Sequence, residues 1–254
     1  MRPDVPQSVA EALRRACRVA VLTGAGASAE SGISTFREED GLWSRFNPDE
    51  VATRQAFRRD PQHVWSWYVE RREQIARTGP NAGHFALAEM ERHAPEFTLV
   101  TQNIDGLHRR AGSERVVELH GNIFRVRCFE EDIVVSAPAE ETTPGPPVCS
   151  RCGAFLRPDV VWFGEMLSME AIAEAVNAAQ RSDVFLSVGT SCLVEPAASL
   201  PFEAVRRGAV VVEINPETTP LSRYATHVLR GRAGDVLPRL VDAAWPDEER
   251  APSP

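Results

Sequence analysis

The chain contains no lysine, so all 28 of its basic residues are arginine. A GC-rich coding bias is the simplest cause of this absence. No apolar stretch is long enough to span a bilayer, and Met1–Asp4 do not lead into the hydrophobic core of a signal peptide. Cysteine is scarce: five residues, an odd number, fit a reducing compartment better than a disulfide framework. We therefore expect a cytoplasmic protein that neither enters a membrane nor is secreted.

An excess of positive charge is missing as well. The net charge is -8, so no overall field attracts phosphates, and general nucleic-acid binding is not expected. At 254 residues and 43% hydrophobic, the chain can bury a substantial core, as one large domain or one domain with an inserted lobe. The composition indicates no oligomeric state.

Short apolar runs recur along the chain, as is typical of strands buried on both faces of a parallel sheet. Helical patterns lie between several of these runs. Strands that alternate with helices predict an open, doubly wound α/β fold of the Rossmann type. The predicted strands are 18–22, 97–101, 116–119, 184–188, 209–214 and 227–229, and the predicted helices include 82–93, 169–181 and 196–207.

Two stretches interrupt this alternation, and we interpret them as insertions that together form a small lobe. Residues 38–80 are rich in arginine and tryptophan and predict a helix over 61–77, while residues 122–158 hold short β-like runs and three cysteines. The predicted Rossmann-like domain therefore comprises residues 1–37, 81–121 and 159–245. Residues 246–254 are polar and proline-rich, which predicts a flexible tail.

A turn rich in glycine and alanine follows the first predicted strand. Gly24 permits a sharp turn, Gly26 lets backbone amides such as that of Ala25 approach a pyrophosphate, and Ala29 permits close helix–strand packing. Similar turns occur without ligands. The acidic residue that dehydrogenases carry about 20 residues further on is also missing. Taken alone, the turn leaves a dinucleotide site and a purely structural role open.

Polar side chains follow two more predicted strands. Gln102, Asn103 and Asp105 come after strand 97–101, and His120 comes after strand 116–119. Consecutive strand ends would bring these groups into one crevice. A lone histidine at a strand end is more often a hydrogen-bonded structural residue. Here it accompanies an amide and a carboxylate, and its pKa near neutrality suits proton removal from a hydroxyl group.

Three motifs, Gly24–Ala29, Thr101–Gly106 and Glu118–Gly121, together resemble the sirtuins, which are NAD-dependent protein deacylases. The resemblance extends from about Val19 to Leu240. It implies NAD as cofactor and acylated-lysine proteins as partners. It further implies that Phe36 shields the reacting carbon from water and that Arg37 holds a phosphate. The other implied NAD contacts are Gln102, Ile104, Gly189, Thr190, Ser191, Asn215 and Ala233.

The resemblance also implies a reaction. The acyl oxygen displaces nicotinamide from the ribose, and His120 acts as general base on the ribose hydroxyls, which gives free lysine and 2′-O-acyl-ADP-ribose. Asn103 would orient water or the ribose, and Asp105 the nicotinamide carboxamide. The run 160–165 would supply an extended edge to which substrate adds as a strand, through Val161, Phe163 and Gly164. Avoidance of self-acylation is then a second explanation for the missing lysines.

Tyr68 and Arg71 lie three residues apart, on one face of the helix predicted over 61–77. A phenol beside a guanidinium suits a carboxylate, because one hydroxyl donor adds to a permanently charged fork. Sirtuins that remove succinyl and malonyl groups carry such a Tyr-x-x-Arg pair, and the small Ala29 is compatible with their wider pocket. Among neighbouring charged residues, however, Arg71 also fits an ordinary solvated helix face.

The cysteines indicate a metal site that departs from the family pattern. Zinc-containing sirtuins use two Cys-x-x-Cys pairs. Here Cys149 and Cys152 form one pair, whereas Cys128 has Glu131 in its partner position. A zinc site of three cysteines with a glutamate or an aspartate is chemically possible, and completion by water less so. A lobe that folds without metal remains the alternative.

Three other functions are compatible with parts of this pattern. A dehydrogenase would use the same fold for hydride transfer, and an ADP-ribosyltransferase would share nicotinamide release but modify a protein. A non-catalytic module could simply sense NAD, although it would not need the full set of polar strand-end residues. We expect the deacylase, acting on succinyl, malonyl and acetyl groups.

Overall fold

A computed structural model of the chain describes residues 5–33, 46–136 and 145–246. Within these ranges, no helix combines the length and apolar character needed to cross a membrane. The strands are β1 (Arg18–Thr23), β2 (Glu96–Thr101), β3 (Val116–Glu118), β4 (Gly121–Cys128), β5 (Val134–Val135), β6 (Leu156–Val160), β7 (Val184–Val188), β8 (Val210–Ile214) and β9 (His227–Leu229). Phe36, Arg37 and residues 247–254 of the predicted tail lie outside the described residues.

Six of these strands form a parallel sheet in the order β3-β2-β1-β7-β8-β9. The chain builds outward from β1 in one direction and then from β7 in the other, so the strand order reverses between β1 and β7. The doubly wound α/β fold predicted from the sequence is therefore confirmed. In such sheets, ligands bind outside the carboxyl ends of the strands at this point of reversal.

Helices cover both faces of the sheet because alternate strand residues point to opposite sides. Val19 and Val21 of β1 belong to one core, and Ala20 and Leu22 belong to the other. The described helices are α1 (Gln7–Arg15), α2 (Pro48–Val51), α3 (Arg54–Arg59), α4 (Pro61–Ala76), α5 (Ala82–His93), α6 (Leu107–Arg110), α7 (Met169–Arg181), α8 (Leu200–Arg206) and α9 (Ala233–Ala244). The first core contains α1, α5 and α9, and the second contains α7 and α8.

One predicted helix is shorter than expected. Residues 196–207 begin with a 3-10 turn, Ala197–Ser199, and only then continue as α8. Pro201 lies at the start of α8, where its missing amide hydrogen costs no helical hydrogen bond. The α-helix therefore starts later than the apolar spacing suggests.

A second group of elements packs beside the sheet. β4, β5 and β6 form an antiparallel sheet, against which α2, α3 and α4 pack. The side chains of Asn47, Thr53 and Asp60 cap the three helices by accepting backbone hydrogen bonds. The shared core includes Phe57, Val64, Tyr68, Ile123 and Trp162. This arrangement fits an inserted small lobe, and the domain boundaries given above stay a prediction.

Candidate active site

The glycine-rich turn packs directly on the segment that follows β7. A side-chain carbon added at Gly24 or at Gly26 would lie 2.8 Å from the carbonyl oxygen of Gly189. The Gly26 amide already donates to that oxygen, at 2.9 Å. Gly24 has an extended backbone, with φ -126°. These glycines are therefore needed for close backbone packing on Gly189. That backbone amides here approach a pyrophosphate stays a prediction.

Ala29 also differs from its predicted role. It is exposed and begins a second 3-10 turn, Ala29–Ser31, while Ala27 is the residue buried in the core. Ala29 therefore does not pack a helix against a strand. Its small, exposed side chain remains compatible with contact to a ligand. The backbone at Ala25 is compatible with such contact as well.

The parallel register brings the ends of all six strands to one edge of the sheet. Gln102 Nε2 donates to Thr190 Oγ1 at 2.9 Å, and Asn215 Nδ2 donates to the Thr190 carbonyl, also at 2.9 Å. Ser191 beside them is exposed, and Ala233 begins α9. Groups that the sequence placed after β2, β7 and β8 are thus hydrogen-bonded to one another at this edge, and α9 begins shortly after β9. They include amides and hydroxyls of the kind that bind phosphates and riboses.

A buried polar network lies under the glycine-rich turn. Asn103 Nδ2 donates to the Gly24 carbonyl and to Ser28 Oγ, both at 3.0 Å. Ser28 Oγ in turn donates to Asp105 Oδ2 at 2.7 Å. Burial raises the pKa of Asp105 above its ordinary value, although Ser28 and Arg71 oppose this rise. The network fixes Asn103 and Asp105 relative to the turn.

His120 lies at the same edge and is partly exposed. Its Nδ1 is 2.8 Å from the carbonyl oxygen of Gln102. A carbonyl can only accept, so Nδ1 carries the hydrogen and Nε2 of the neutral ring holds a lone pair. Burial lowers the pKa of His120, which favours this neutral form. The ring is thus oriented and protonated as a general base requires.

Tyr68 and Arg71 both lie on the buried face of α4, at 3% and 8% exposure. The interpretation of Arg71 as part of a solvated helix face is therefore wrong. The indole nitrogen of Trp162 donates to the Tyr68 hydroxyl oxygen at 2.9 Å. Burial lowers the pKa of Arg71, whereas the charge of Asp105 raises it. Arg71 Nη1 also donates to Gln74 Oε1 at 3.4 Å, and the charges of Arg71 and Asp105 stabilise each other.

The extended segment after β6 joins this region to the small lobe. The Val161 amide donates to the His120 carbonyl at 3.0 Å, and the Phe163 amide donates to the Ala52 carbonyl at 2.9 Å. Phe163 is half-exposed, and Gly164 has a positive φ of 82°. Ile104 is tied to the lobe as well, because its carbonyl accepts from Ile123 at 2.9 Å.

Comparison with known proteins decides the family. A profile described as "Sir2 family" matches residues 24–196. The chain belongs to the Sir2 family. It is 50% identical over 227 residues to an NAD-dependent protein deacylase of Aquifex aeolicus, covering 88% of this chain and 94% of that protein. An NAD-dependent protein deacylase of Mycolicibacterium paratuberculosis is 49% identical over 232 residues, with 88% and 96% covered.

Solved Sir2 structures share the fold. A Sir2 homologue in complex with NAD has a TM-score of 0.88 at 44% identity and covers 95% of this chain and 94% of its own. A Sir2 variant bound to a deacetylated p53 peptide and 3′-O-acetyl-ADP-ribose has a TM-score of 0.83 at 31% identity, with 93% and 96% covered. The strand-end crevice of this Sir2 protein has the donor groups needed for NAD.

Three of the five cysteines of this Sir2 protein come together in the small lobe. The sulfur atoms of Cys128, Cys149 and Cys152 and a carboxylate oxygen of Glu131 all lie within 4.8 Å of one another. Two thiolates bound to one tetrahedral zinc ion, each about 2.3 Å away, would be about 3.8 Å apart. The Cys128 and Cys152 sulfurs are 3.4 Å apart. This donor set fits a structural zinc site, in which the metal would hold β4 to the segment before β6.

Two histidines outside the set of predicted site residues belong to the buried network. His84 accepts from the Asn81 amide at Nδ1, and its Nε2 is 3.3 Å from Ser28 Oγ. His108 Nε2 is 2.9 Å from Thr23 Oγ1, and the two imidazole rings are 4.7 Å apart. Position within Sir2-like segments was the available signal, but their distant partners were not visible in the sequence.

Proposed function

We propose that the chain removes acyl groups from protein lysines with NAD as co-substrate, and that it prefers acyl groups ending in a carboxylate. The first part is the activity named for its Sir2 relatives. One observation carries the second part: Tyr68 and Arg71 lie together on the buried face of α4, and Trp162 of the segment after β6 donates to the Tyr68 hydroxyl.

In this proposal, NAD binds in the crevice at the strand ends and is consumed as a co-substrate. The acyl group leaves the lysine and is released as acyl-ADP-ribose. His120 takes the proton from a ribose hydroxyl through Nε2, because Nδ1 is held by the Gln102 carbonyl. Asn103 and Asp105, fixed through Ser28, orient the ribose and the nicotinamide amide. Acylated peptide lies along the segment Val161–Gly164 as an extended strand, with its acyl-lysine side chain directed towards the His120 imidazole.

The preference for a carboxylate follows from the hydrogen-bond direction at Tyr68. Its oxygen accepts from Trp162, so its own hydrogen can point to another acceptor. A succinyl or malonyl carboxylate would accept from Tyr68 and from the Arg71 guanidinium. Leaving water is costly for a carboxylate unless it finds such partners. An acetyl group ends in a methyl group, which offers neither residue an acceptor.

Steady-state kinetics on wild-type enzyme test this proposal. Three peptides of one sequence, carrying succinyl-, butyryl- or acetyl-lysine, would be compared with and without NAD. Butyryl has nearly the length of succinyl without its charge, so it separates size from charge. We expect NAD-dependent turnover with the highest kcat/KM for succinyl. Equal values for succinyl and butyryl would rule out recognition of the carboxylate, while leaving the deacylase activity intact.

A further inference from the structure

Two turns in the small lobe have the same backbone hydrogen bonds. In the turn from Cys149, the Gly153 amide donates to the Cys149 carbonyl at 2.9 Å, and the Cys149 amide donates to the Ala154 carbonyl at 2.7 Å. In the turn from Cys128, the Asp132 amide donates to the Cys128 carbonyl at 3.1 Å, and the Cys128 amide donates to the Ile133 carbonyl at 2.9 Å. The two turns therefore share one backbone hydrogen-bond pattern.

The match extends to the side chains that face the cluster. The Glu131 amide donates to the Cys128 sulfur at 3.4 Å. Glu131 follows Cys128 by three residues, as Cys152 follows Cys149. Glu131 thus occupies the position that Cys152 has in the other turn. The next residue has a positive φ in both, 54° at Asp132 and 80° at Gly153.

The carboxylate of the next residue, Asp132, interacts with arginines rather than with the cysteines. Asp132 Oδ1 accepts from Arg127 at 3.1 Å and from Arg157 at 3.2 Å, and it lies 3.7 Å from Arg54. Arg157 is fully buried, so this interaction fixes the Asp132 carboxylate away from the thiols. Asp132 is also absent from the group of donor atoms that lie within 4.8 Å of one another, whereas Glu131 belongs to it. Glu131 is therefore the carboxylate placed to complete the cysteine cluster.

We infer that Glu131 is the fourth ligand of a zinc site made with Cys128, Cys149 and Cys152. Arg151 is its positioning residue: Nε of Arg151 lies 3.0 Å from Glu131 Oε2, and the other carboxylate oxygen is left for the metal. Ligating carboxylates are commonly held by such a second hydrogen bond. One oxygen among three sulfurs makes the site harder than a four-cysteine site, so its zinc affinity is lower.

Metal titration of the full-length protein tests this inference without reference to activity. Metal-free protein would be titrated with Co²⁺, whose absorption reports thiolate and oxygen donors, and then with Zn²⁺ against a competing chelator. The variants are Glu131→Gln, Glu131→Cys and Arg151→Met. Glu130→Gln is the matched control, because Glu130 is the adjacent exposed acid and lies outside the cluster.

We expect Glu131→Gln to weaken zinc binding by at least about 10-fold and Arg151→Met by about 10-fold, the lower end of the range for residues that orient a ligand. Glu131→Cys should bind zinc more tightly and strengthen the sulfur-to-cobalt absorption. Glu130→Gln should match wild type. The inference fails if wild type takes up neither metal, if Glu131→Gln binds zinc as wild type does, or if Glu131→Cys leaves the cobalt spectrum unchanged. Circular dichroism of each metal-free variant separates loss of a ligand from loss of folding.

Discussion

Replacing Arg71 by methionine should change which acyl group the enzyme prefers. Methionine keeps the apolar length of the side chain but removes the guanidinium from the buried face of α4. A hydrogen bond to a charged group contributes about 1.5–3 kcal/mol. At 1.36 kcal/mol per factor of ten, desuccinylation should lose about 10- to 100-fold in kcat/KM. Deacetylation should be spared or improved, because the desolvated charge no longer lies beside a neutral group.

The loss of Arg71 has a second electrostatic effect that the assay must remove. Arg71 opposes the rise in the pKa of Asp105, so the variant raises that pKa further. Asp105 is assigned to the NAD site, so this change in its pKa should affect kcat/KM for every acyl substrate by the same factor. The informative quantity is the ratio of kcat/KM for succinyl- and acetyl-peptides, in which the common effect cancels.

Arg72→Met is the matched control for this experiment. Arg72 is the next residue on α4, but its Nε donates to the Ile123 carbonyl at 3.1 Å and its guanidinium lies over the Trp65 ring. Its replacement should cost stability while leaving the succinyl-to-acetyl ratio unchanged. If Arg71→Met lowers both activities in parallel, Arg71 serves the NAD site or the fold, and our reasoning about the acyl pocket is wrong.

Three further results are expected. His120→Ala should retain NAD binding, measured by calorimetry, and lose about 10²–10⁴-fold in turnover, as removal of a general base does; near-normal turnover would exclude that role. Tyr68→Phe should lower the free energy of unfolding by about 1–3 kcal/mol in urea titrations, because the Trp162 indole hydrogen is left buried without its acceptor; an unchanged midpoint would contradict this. Burial lowers the pKa of His84 to about 4 and that of His108 well below its ordinary value. Below about pH 6.5, the unfolded chain therefore binds more protons than the folded protein does. The free energy of unfolding should decrease as the pH is lowered from about 6.5 to about 4. A pH-independent value across that range would show that the two rings are not held neutral.

The sheet was predictable because its strands are buried on both faces. The central strands appear as unbroken apolar runs, and the predicted bounds of β7, which is buried throughout, match the structure. The bounds of the edge strand β9 match as well, although this strand is only partly buried. The strand-end residues were predictable for the same reason, since a parallel sheet brings all carboxyl ends to one edge. His120 and Asn215 thus reach one crevice although 95 residues separate them in the sequence.

Contacts between distant segments could not be predicted. Gly26 is a glycine because Gly189 packs on it, and neither residue carries a sign of the other. The hydrogen bond from Trp162 to Tyr68 spans 94 positions and depends on how the small lobe packs. Burial of Arg71 was equally hidden, because the charged residues around it are typical of a solvated helix. These features come from tertiary packing, which local sequence patterns do not encode.

The fate of the acyl group tests the central claim most directly. Wild-type protein would be incubated with a succinyl-lysine peptide and NAD labelled in its adenine ring, and the products separated and identified by mass spectrometry. Our account predicts equal amounts of nicotinamide, free-lysine peptide and labelled succinyl-ADP-ribose. Labelled peptide would instead indicate an ADP-ribosyltransferase, NADH a dehydrogenase, and unchanged NAD a binding module, and any of these as the main result would contradict the deacylase.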